Sequence, residues 1–348
     1  MSGSDVSHVT PPAAVFGLNR SDPRVPGLTR MRAGSGFGYL DLAGAEVSDA
    51  STLERIRALA IPPAWTNVWI SPDPLGHIQA TGVDSRGRVQ YRYHQMWREQ
   101  RDEQKFAHML RFAAALPGLR DATLRDLRHR GLDRGRVAAG AVRLIDLGLF
   151  RIGGERYAEL DHHYGAVTLE KQHVIVHRNG LQFDYTAKEG KHRTVTVADA
   201  AVLPTVRALA HTSNGLPALF CFQDARAAWH PLHSHDVSAY IADSSGGHFT
   251  AKEFRTWNAT VLMALALAST GPPESEAAAR KAVNAGVRAV ATWLGDTPTV
   301  ARSAYIDPRL ISRYSTGAGL VGFPVGPVSL PAGAAAEEAV AGLLADTA

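Results

Sequence analysis

Two arginines, one lysine and one tyrosine stand in segments whose composition favours chemistry on a phosphodiester. Tyr305 lies between Pro298 and Pro308, and Thr297 precedes the first of these prolines. Threonine is a favoured N-cap, and proline is tolerated at the first helical position because its missing N–H would have no partner there. The sequence therefore predicts a short helix that Pro298 begins, that Pro308 closes, and that presents Tyr305.

Three upstream segments supply the cations. They are residues 151–157 (RIGGERY), 186–192 (TAKEGKH) and 249–257 (FTAKEFRTW). A tyrosine can attack phosphorus and form a covalent intermediate, and fixed cations can stabilise the charge that develops on the phosphate oxygens in place of Mg²⁺. A departing 5′ oxygen also needs a proton from a general acid. Together these residues form a complete set for attacking a phosphodiester without a metal.

Each of these residues also has an ordinary structural explanation. Tyr305 is compatible with core packing, and Arg151 follows an apolar helix whose C-terminus a cation would complement. Lys188 is compatible with a solvated position in a hairpin connection, and Arg255 with stacking on an aromatic ring. Singly, each structural explanation is favoured, but the combination in this order favours the phosphate site.

The chain resembles the type IB DNA topoisomerases, in particular the short poxvirus-like form found in many bacteria. The motifs that carry the resemblance are GFGYL at 36–40, LAIPPAW at 59–65, GHIQATG at 76–82, GRVQYRYH at 87–94 and YIDP at 305–308. The resemblance implies that Tyr305 attacks the scissile phosphate and leaves a 3′-phosphotyrosyl enzyme and a free 5′-hydroxyl. It also implies that Arg151 and Arg255 bind the phosphate oxygens. Lys188 would protonate the leaving oxygen.

The same resemblance implies contacts with double-stranded DNA. The expected contact residues are Gln90, Tyr91, Tyr93, Tyr157, Lys191 and Lys252. Residues 90–93 match the β-domain segment that meets the major groove, where glutamine can read an adenine edge; an amphipathic strand with two cross-strand tyrosines is the alternative. Val89 replaces the lysine usual in the family, which weakens one expected backbone contact. The implied enzyme needs no metal, ATP or small-molecule cofactor and acts as a cytoplasmic, nucleoid-associated monomer.

Asp296 departs from the family pattern. Nine residues before the tyrosine, family members carry His or Asn, which donates a hydrogen bond to a phosphate oxygen. An ionised carboxylate only accepts hydrogen bonds and repels phosphate. Either a raised pKa lets Asp296 donate as the acid, or its side chain points away and serves the helix start at Thr297. We expect Asp296 to leave activity intact but slower than in an Asn variant.

Two alternatives stay open on the sequence alone. A tyrosine site-specific recombinase shares the catalytic fold and chemistry, but it normally carries a histidine where this chain has Lys252. A DNA-binding protein with impaired catalysis is conceivable because of Asp296. The cluster of His230, His233, His235 and Asp236 matches no zinc spacing and favours a connector with Ser234 or Asp236 as a helix cap.

Composition bounds the remaining possibilities. The chain has 348 residues, 45% of them hydrophobic and 20% charged, which is typical of a soluble globular protein with room for two domains. One cysteine excludes an internal disulfide framework and predicts a reducing, cytoplasmic compartment. No apolar run is long enough to span a bilayer, and the first residues lack a secretion signal. Residues 86–156 contain 16 Lys and Arg against 8 Asp and Glu, which favours a nucleic-acid face over a solvated helical surface.

The predicted fold class is α+β. A small N-terminal antiparallel β-sheet domain over residues 1–100 would clamp DNA, and a larger, mainly helical catalytic domain with a β-hairpin insert would occupy residues 101–348. Predicted strands are 37–40, 68–71, 77–81, 89–93, 166–169, 173–177, 182–187 and 193–197. Predicted helices are 51–60 with Ser51 as its cap, 104–116, 124–131, 136–149, 197–210, 234–243, 251–268 and 275–294. Residues 1 to about 30 would form an arm, and the tail after Pro331 a terminal or frayed helix.

Overall fold

The computed structural model describes residues 17–316, 320, 323, 330 and 332–345. The chain divides into two compact units, Met1–Phe106 and Ala107–Ala348. An antiparallel sheet characterises the first and a helical core the second, so the predicted α+β fold class is confirmed. No helix among the described residues is both long and apolar enough to cross a membrane.

Unit 1 contains a five-stranded antiparallel sheet with a short helix between two of its strands. The strands are β1 (Leu28–Ala33), β2 (Gly36–Leu40), β3 (Thr66–Ile70), β4 (Ile78–Val83) and β5 (Val89–Tyr93), in the spatial order β2-β1-β3-β4-β5. Helix α1 (Ala50–Ala58) lies between β2 and β3 in the chain. Side chains alternate along a strand, and Val68 and Ile70 of β3 therefore both enter the core, where they meet Leu28, Ile56 and Ala80.

Two predictions for unit 1 are wrong. Residues 28–30 were expected in an N-terminal arm, but they belong to strand β1, because pairing with both β2 and β3 satisfies their backbone groups. Residues 1–16 of the predicted arm lie outside the described residues. Helix α1 is capped by Asp49, whose carboxylate accepts the Thr52 N–H at 2.7 Å. Ser51 is inside the helix and donates to Asp49 at 2.7 Å.

The second unit takes most of its residues from helices. They are α2 (Gln95–Asp126, which begins in unit 1), α3 (Arg134–Gly148), α4 (Glu155–Asp161), α5 (Leu203–His211), α6 (Ser234–Ser245), α7 (Ala251–Thr270), α8 (Glu276–Leu294), α9 (Pro298–Val300), α10 (Pro308–Ser315) and α11 (Ala334–Ala345). Helices α3 and α7 are buried along most of their length. This burial fixes the position of Arg151, which follows α3, and of Arg255, which lies near the start of α7.

The strands of unit 2 form two small sheets. The larger has the order β6 (Val174–Val176), β7 (Leu181–Ala187), β8 (Lys191–Val197), and the smaller pairs β9 (Cys221–Gln223) with β10 (Trp229–Pro231). The predicted strand at 166–169 is wrong: Ala166–Thr168 form a 3₁₀ turn in which the Thr168 hydroxyl accepts the Gly165 N–H at 2.9 Å. The β9–β10 pair has no counterpart among the predictions, because three-residue strands carry too little pattern to detect.

Three helix predictions are also wrong. Residues 104–116 and 124–131 were predicted as separate helices, but α2 runs through Pro117 and ends at Asp126. Leu116 and Leu119 are both buried, so packing on either side of the proline offsets its missing N–H. The helix predicted at 197–210 begins only at Leu203, because Val197 is still paired with Leu181 in β8.

Candidate active site

Tyr305 lies at the end of the short helical segment that Pro298 begins, but Pro308 does not close it, because Pro308 is the first residue of α10. Thr297 caps α9, since its hydroxyl accepts the Val300 N–H at 3.3 Å, and a π-helical turn over Ala301–Tyr305 follows. The Thr260 hydroxyl of α7 donates to the Tyr305 carbonyl at 3.2 Å. Tyr305 is 9% exposed. Its backbone is therefore fixed against α7 while a small part of the residue remains accessible.

Arg255 is buried beside this tyrosine. It follows the α7 N-terminus, which the reciprocal hydrogen bonds of Thr250 and Glu253 stabilise. The residue is 2% exposed, and its Cζ lies 5.0 Å from the centroid of the Tyr305 ring. Burial lowers the pKa of Arg255; the charges of Arg151 and Arg193 lower it further, whereas Tyr305 opposes them. Arg255 therefore carries its charge in a buried position against the ring of Tyr305.

Asp296 joins the two arginines. Its carboxylate accepts from Arg151 Nη2 at 2.7 and 2.9 Å and from Arg255 Nη2 at 2.8 Å. The aspartate side chain is only 5% exposed. The interpretation in which Asp296 points away to serve the helix start is therefore wrong, because Thr297 caps that helix and Asp296 faces the arginines.

Two helix ends bring these groups together. The C-cap of α3 is Leu149, whose left-handed backbone turns the chain two residues before Arg151. The C-cap of α8 is Gly295, also left-handed at φ 64°, directly before Asp296. Arg255 donates to the Leu149 carbonyl, and to the Leu294 carbonyl at 3.0 Å. Carbonyls at a helix C-terminus lack helical partners and carry partial negative charge, so a buried guanidinium satisfies both.

Lys188 occupies the turn between β7 and β8. This 3₁₀ turn, Lys188–Gly190, is exposed, and the following strand pairs with β7 along its whole length. Lys188 and Arg151 line the same open cleft of about 280 Å³, together with Tyr157, His163 and Tyr164. Arg151 thus lines this cleft and also contacts Asp296, which binds the Arg255 that packs against Tyr305.

Of the residues expected to contact DNA, three lie on β5 in unit 1. Tyr91 and Tyr93 are exposed, and their rings stack with centroids 5.9 Å apart. They are neighbours along one strand and not a cross-strand pair. Strand alternation puts Gln90 on the opposite face, where its amide donates to Asp84 at 3.0 Å. The tyrosines and the glutamine therefore do not share one surface of the strand.

The other three expected contact residues lie in unit 2. Tyr157 is 65% exposed on α4, and Lys252 is exposed on the first turn of α7. Lys191 begins β8, with its ammonium 3.8 Å from Glu189. Lys191 and Lys188 thus belong to one hairpin. Tyr157 is distant from this hairpin in sequence but lines the same cleft as Lys188.

Part of the predicted basic face is internal. Arg120 makes paired hydrogen bonds to Asp146, and Arg143 donates to Asp199 at 2.8 Å. The Asp146 side chain is 3% exposed, so these arginines serve the packing of α2 and α3. The count of arginines in residues 86–156 therefore overstates the charge that faces solvent.

The histidines of the 230–236 cluster pair with separate carboxylates. His230 pairs with Asp224 at 3.0 Å, and His233 with Glu155 at 3.1 Å. The α6 N-cap is His233, whose N–H is accepted by the Asp236 carboxylate at 2.9 Å. No group of three or more His, Cys, Asp or Glu side chains suited to holding a metal ion occurs in the described part of the chain.

Arg193 is a residue of the site region that the sequence did not reveal. It donates to the carbonyls of Gly148 at 2.8 Å, Leu149 at 3.1 Å and Trp293 at 2.8 Å. No sequence pattern marks such a residue, because its partners are main-chain atoms from distant segments.

Comparison with known proteins agrees with this geometry. Residues 94–315 match the family model of the eukaryotic DNA topoisomerase I catalytic core, and residues 36–84 match that of the bacterial DNA topoisomerase IB N-terminal domain. The chain is 29% identical over 295 residues to DNA topoisomerase 1B of Acanthamoeba polyphaga mimivirus, covering 83% of this chain and 87% of the relative. Since the core model alone covers more than half of the sequence, the chain belongs to the type IB DNA topoisomerases, an isomerase family that acts on DNA.

Proposed function

We propose that this topoisomerase relaxes supercoiled duplex DNA through a 3′-phosphotyrosyl intermediate, without ATP or a metal ion. The Tyr305 oxygen attacks the scissile phosphorus, the bond from phosphorus to the 5′ oxygen breaks, and the phenol proton passes to solvent. The strand end then rotates, and the 5′-hydroxyl attacks the phosphotyrosine to restore the phosphodiester. Because each exchange replaces one phosphate ester by another, no external energy source is needed.

The observation that carries this proposal is the convergence of Arg151 and Arg255 on one acceptor beside Tyr305. Guanidinium groups bind carboxylate and phosphate oxygens through the same fork of N–H donors. A pair that grips the Asp296 carboxylate has the spacing to grip two oxygens of a phosphate. Fixed cations aimed at those oxygens stabilise the charge that grows during attack.

Lys188 is the proposed general acid for the 5′ oxygen. Lys188 and Arg151 line the same cleft, so both cations can face a phosphate bound there. We expect Lys188→Ala to slow cleavage of ordinary DNA strongly. A substrate with sulfur in place of the bridging 5′ oxygen should restore the rate, because a thiolate leaves without a proton.

The proposed DNA contacts in unit 1 are the exposed tyrosines of β5. Those in unit 2 are Tyr157, Lys191 and Lys252. Exposed aromatic rings can stack on bases or sugars, and lysines bind phosphates. By resemblance, residues 1–100 would clamp the duplex as a domain separate from residues 101–348. A monomer in the cytoplasm suffices for this chemistry, because all proposed catalytic side chains come from one chain.

Plasmid relaxation in EDTA without ATP tests the proposed function. Wild-type protein should relax supercoils, and Tyr305→Phe should not, because it lacks the attacking oxygen. Denaturation during the reaction should trap protein on the 3′ side of the nick, with a free 5′-hydroxyl on the other. Relaxation by Tyr305→Phe, a requirement for Mg²⁺, or protein attached to the 5′ side would contradict the mechanism.

A further inference from the structure

Arg193 lies where three segments of the proposed catalytic site meet. Its guanidinium donates to Gly148 and Leu149 at the end of α3, and to Trp293 near the end of α8. Arg151 follows the first of these helix ends and Asp296 follows the second. Arg193 itself stands on β8, whose hairpin turn carries Lys188.

The Arg193 side chain is closely packed on several sides. Its Cζ lies 5.6 Å from the centroid of the Phe150 ring, and Nη1 is 3.4 Å from the Tyr185 hydroxyl on the paired strand. A Cβ added at Gly295 would lie 3.2 Å from the Arg193 Cδ, and φ at Gly295 is +64°, which favours glycine. Contacts with Phe150, Tyr185 and Gly295 therefore restrict the side chain and keep its guanidinium at the carbonyl groups.

We propose that Arg193 is a positioning residue that holds the loops bearing Arg151, Asp296 and Lys188 in one arrangement. This inference rests on the proposed function. Arg193 uses its N–H donors on main-chain carbonyls, so it acts through the loops rather than on the phosphate. Only the planar fork of arginine bridges three carbonyls from two helix ends, because a lysine ammonium is a single point on a flexible stem.

The same sheet offers a matched control. Arg207 on α5 donates to the carbonyls of His177 and Arg178, both at 3.1 Å, at the β6–β7 connection. It therefore also ties main-chain carbonyls to the sheet, but at the opposite end of β7 from the Lys188 turn. Arg207→Lys removes a comparable bridge that has no connection to the proposed catalytic loops.

The experiment measures single-turnover cleavage and DNA affinity separately for Arg193→Lys and Arg207→Lys. Cleavage by Arg193→Lys should fall on the order of 10- to 100-fold, as expected when catalytic groups are displaced by about 1 Å. DNA affinity and its salt dependence should stay near wild type, because no phosphate contact is lost. Arg207→Lys should cleave at close to the wild-type rate.

Several results would overturn the proposal. Wild-type cleavage by a folded Arg193→Lys would show that charge alone suffices at this position. A parallel loss of affinity and rate, with a shallower salt dependence, would make Arg193 a DNA-phosphate contact. If Arg193→Lys and Arg193→Gln both fail to fold while Arg207→Lys folds, Arg193 serves stability only. Cleavage by Tyr305→Phe would instead contradict the proposed function. The rates of the Arg193 and Arg207 variants would still decide whether Arg193 positions the loops.

Discussion

Asp296 is the residue whose surroundings differ most from those that its sequence position suggested. Both of its carboxylate oxygens are engaged by arginines that the mechanism assigns to phosphate. A buried carboxylate between two guanidinium groups is well satisfied, since each charge has an opposite charge as partner. Under the proposed mechanism, an entering phosphate would compete with the Asp296 carboxylate for the same N–H donors.

Asp296→Asn should therefore speed plasmid relaxation near pH 7. The amide removes the competing charge and the repulsion of phosphate, and a charge-assisted hydrogen bond contributes about 1.5–3 kcal/mol, which corresponds to roughly a tenfold change or more. Relaxation rate and apparent DNA affinity would be compared with wild type. Asp184→Asn, on the exposed face of β7, is the control. Relaxation no faster than wild type would show that Asp296 does not compete with the phosphate.

At the scale of single elements, local capping chemistry contributes to fixing the segment that carries Tyr305. The Thr297 cap and the proline at the next position give α9 a local start, since both act within its first turn. The π-helical turn that follows adds a residue to the helical repeat, and Thr260 of α7 holds its last carbonyl. Helix start and helix end thus depend on different kinds of interaction.

Thr297→Ala should destabilise unit 2 by about 1 kcal/mol, the usual loss for an N-cap threonine. Urea unfolding measures this loss. Ser275→Ala removes the corresponding cap of α8, where the hydroxyl accepts the Ala278 N–H at 3.1 Å. The two variants should lose similar stability, but only Thr297→Ala should slow DNA cleavage. Equal cleavage rates in both variants would mean that α9 is positioned by packing alone.

The turn between β4 and β5 gives a pH-dependent prediction. Backbone and side-chain hydrogen bonds from Arg88 lower the pKa of Asp84 to about 2. A pKa depressed by folding adds stability above the unfolded value, and this stability is lost as pH falls toward the folded value. The urea midpoint of wild type should therefore exceed that of Asp84→Asn at pH 5, and the difference should disappear near pH 2. A difference independent of pH would exclude the charge as its cause.

At the scale of the molecule, a buried ion network joins the C-terminal helix α11 to the helical core. Arg120 of α2 donates to Glu337 at 2.7 and 3.0 Å as well as to Asp146 of α3. Burial opposes the charge of Arg120, but the hydrogen bonds of Asp146 and Glu337 prevail and raise its pKa. Asn258 of α7 also donates to the Asp146 carbonyl at 3.0 Å. The network therefore links the tail to α3 and α7, the helices that position Arg151 and Arg255.

Glu337→Gln should lower the free energy of unfolding by about 1–3 kcal/mol, because it leaves a buried charge with weaker partners. Thermal or urea unfolding of the full chain measures the effect. The neighbouring Glu338 is exposed, so Glu338→Gln should be close to neutral. Equal stabilities of the two variants would show that α11 is held by apolar contacts alone.

Local sequence determined those parts of this protein whose interactions lie within a few residues. The cap at Thr297, the hairpin of β4 and β5 and the helix after Ser275 follow from caps, alternation and helical periodicity. The candidate catalytic residues came from the resemblance to the family, because the family's motifs occur in the same order along this chain.

Only the tertiary structure decided features that depend on distant partners. Helix α2 continues through Pro117 because buried leucines flank it, and β1 forms because two strands pair with it. Asp296 faces Arg151 and Arg255 because the ends of α3 and α8 meet, although these residues are far apart in sequence. Arg193 bridges the same two helix ends through main-chain carbonyls, which every residue possesses and which therefore leave no trace in the order of side chains.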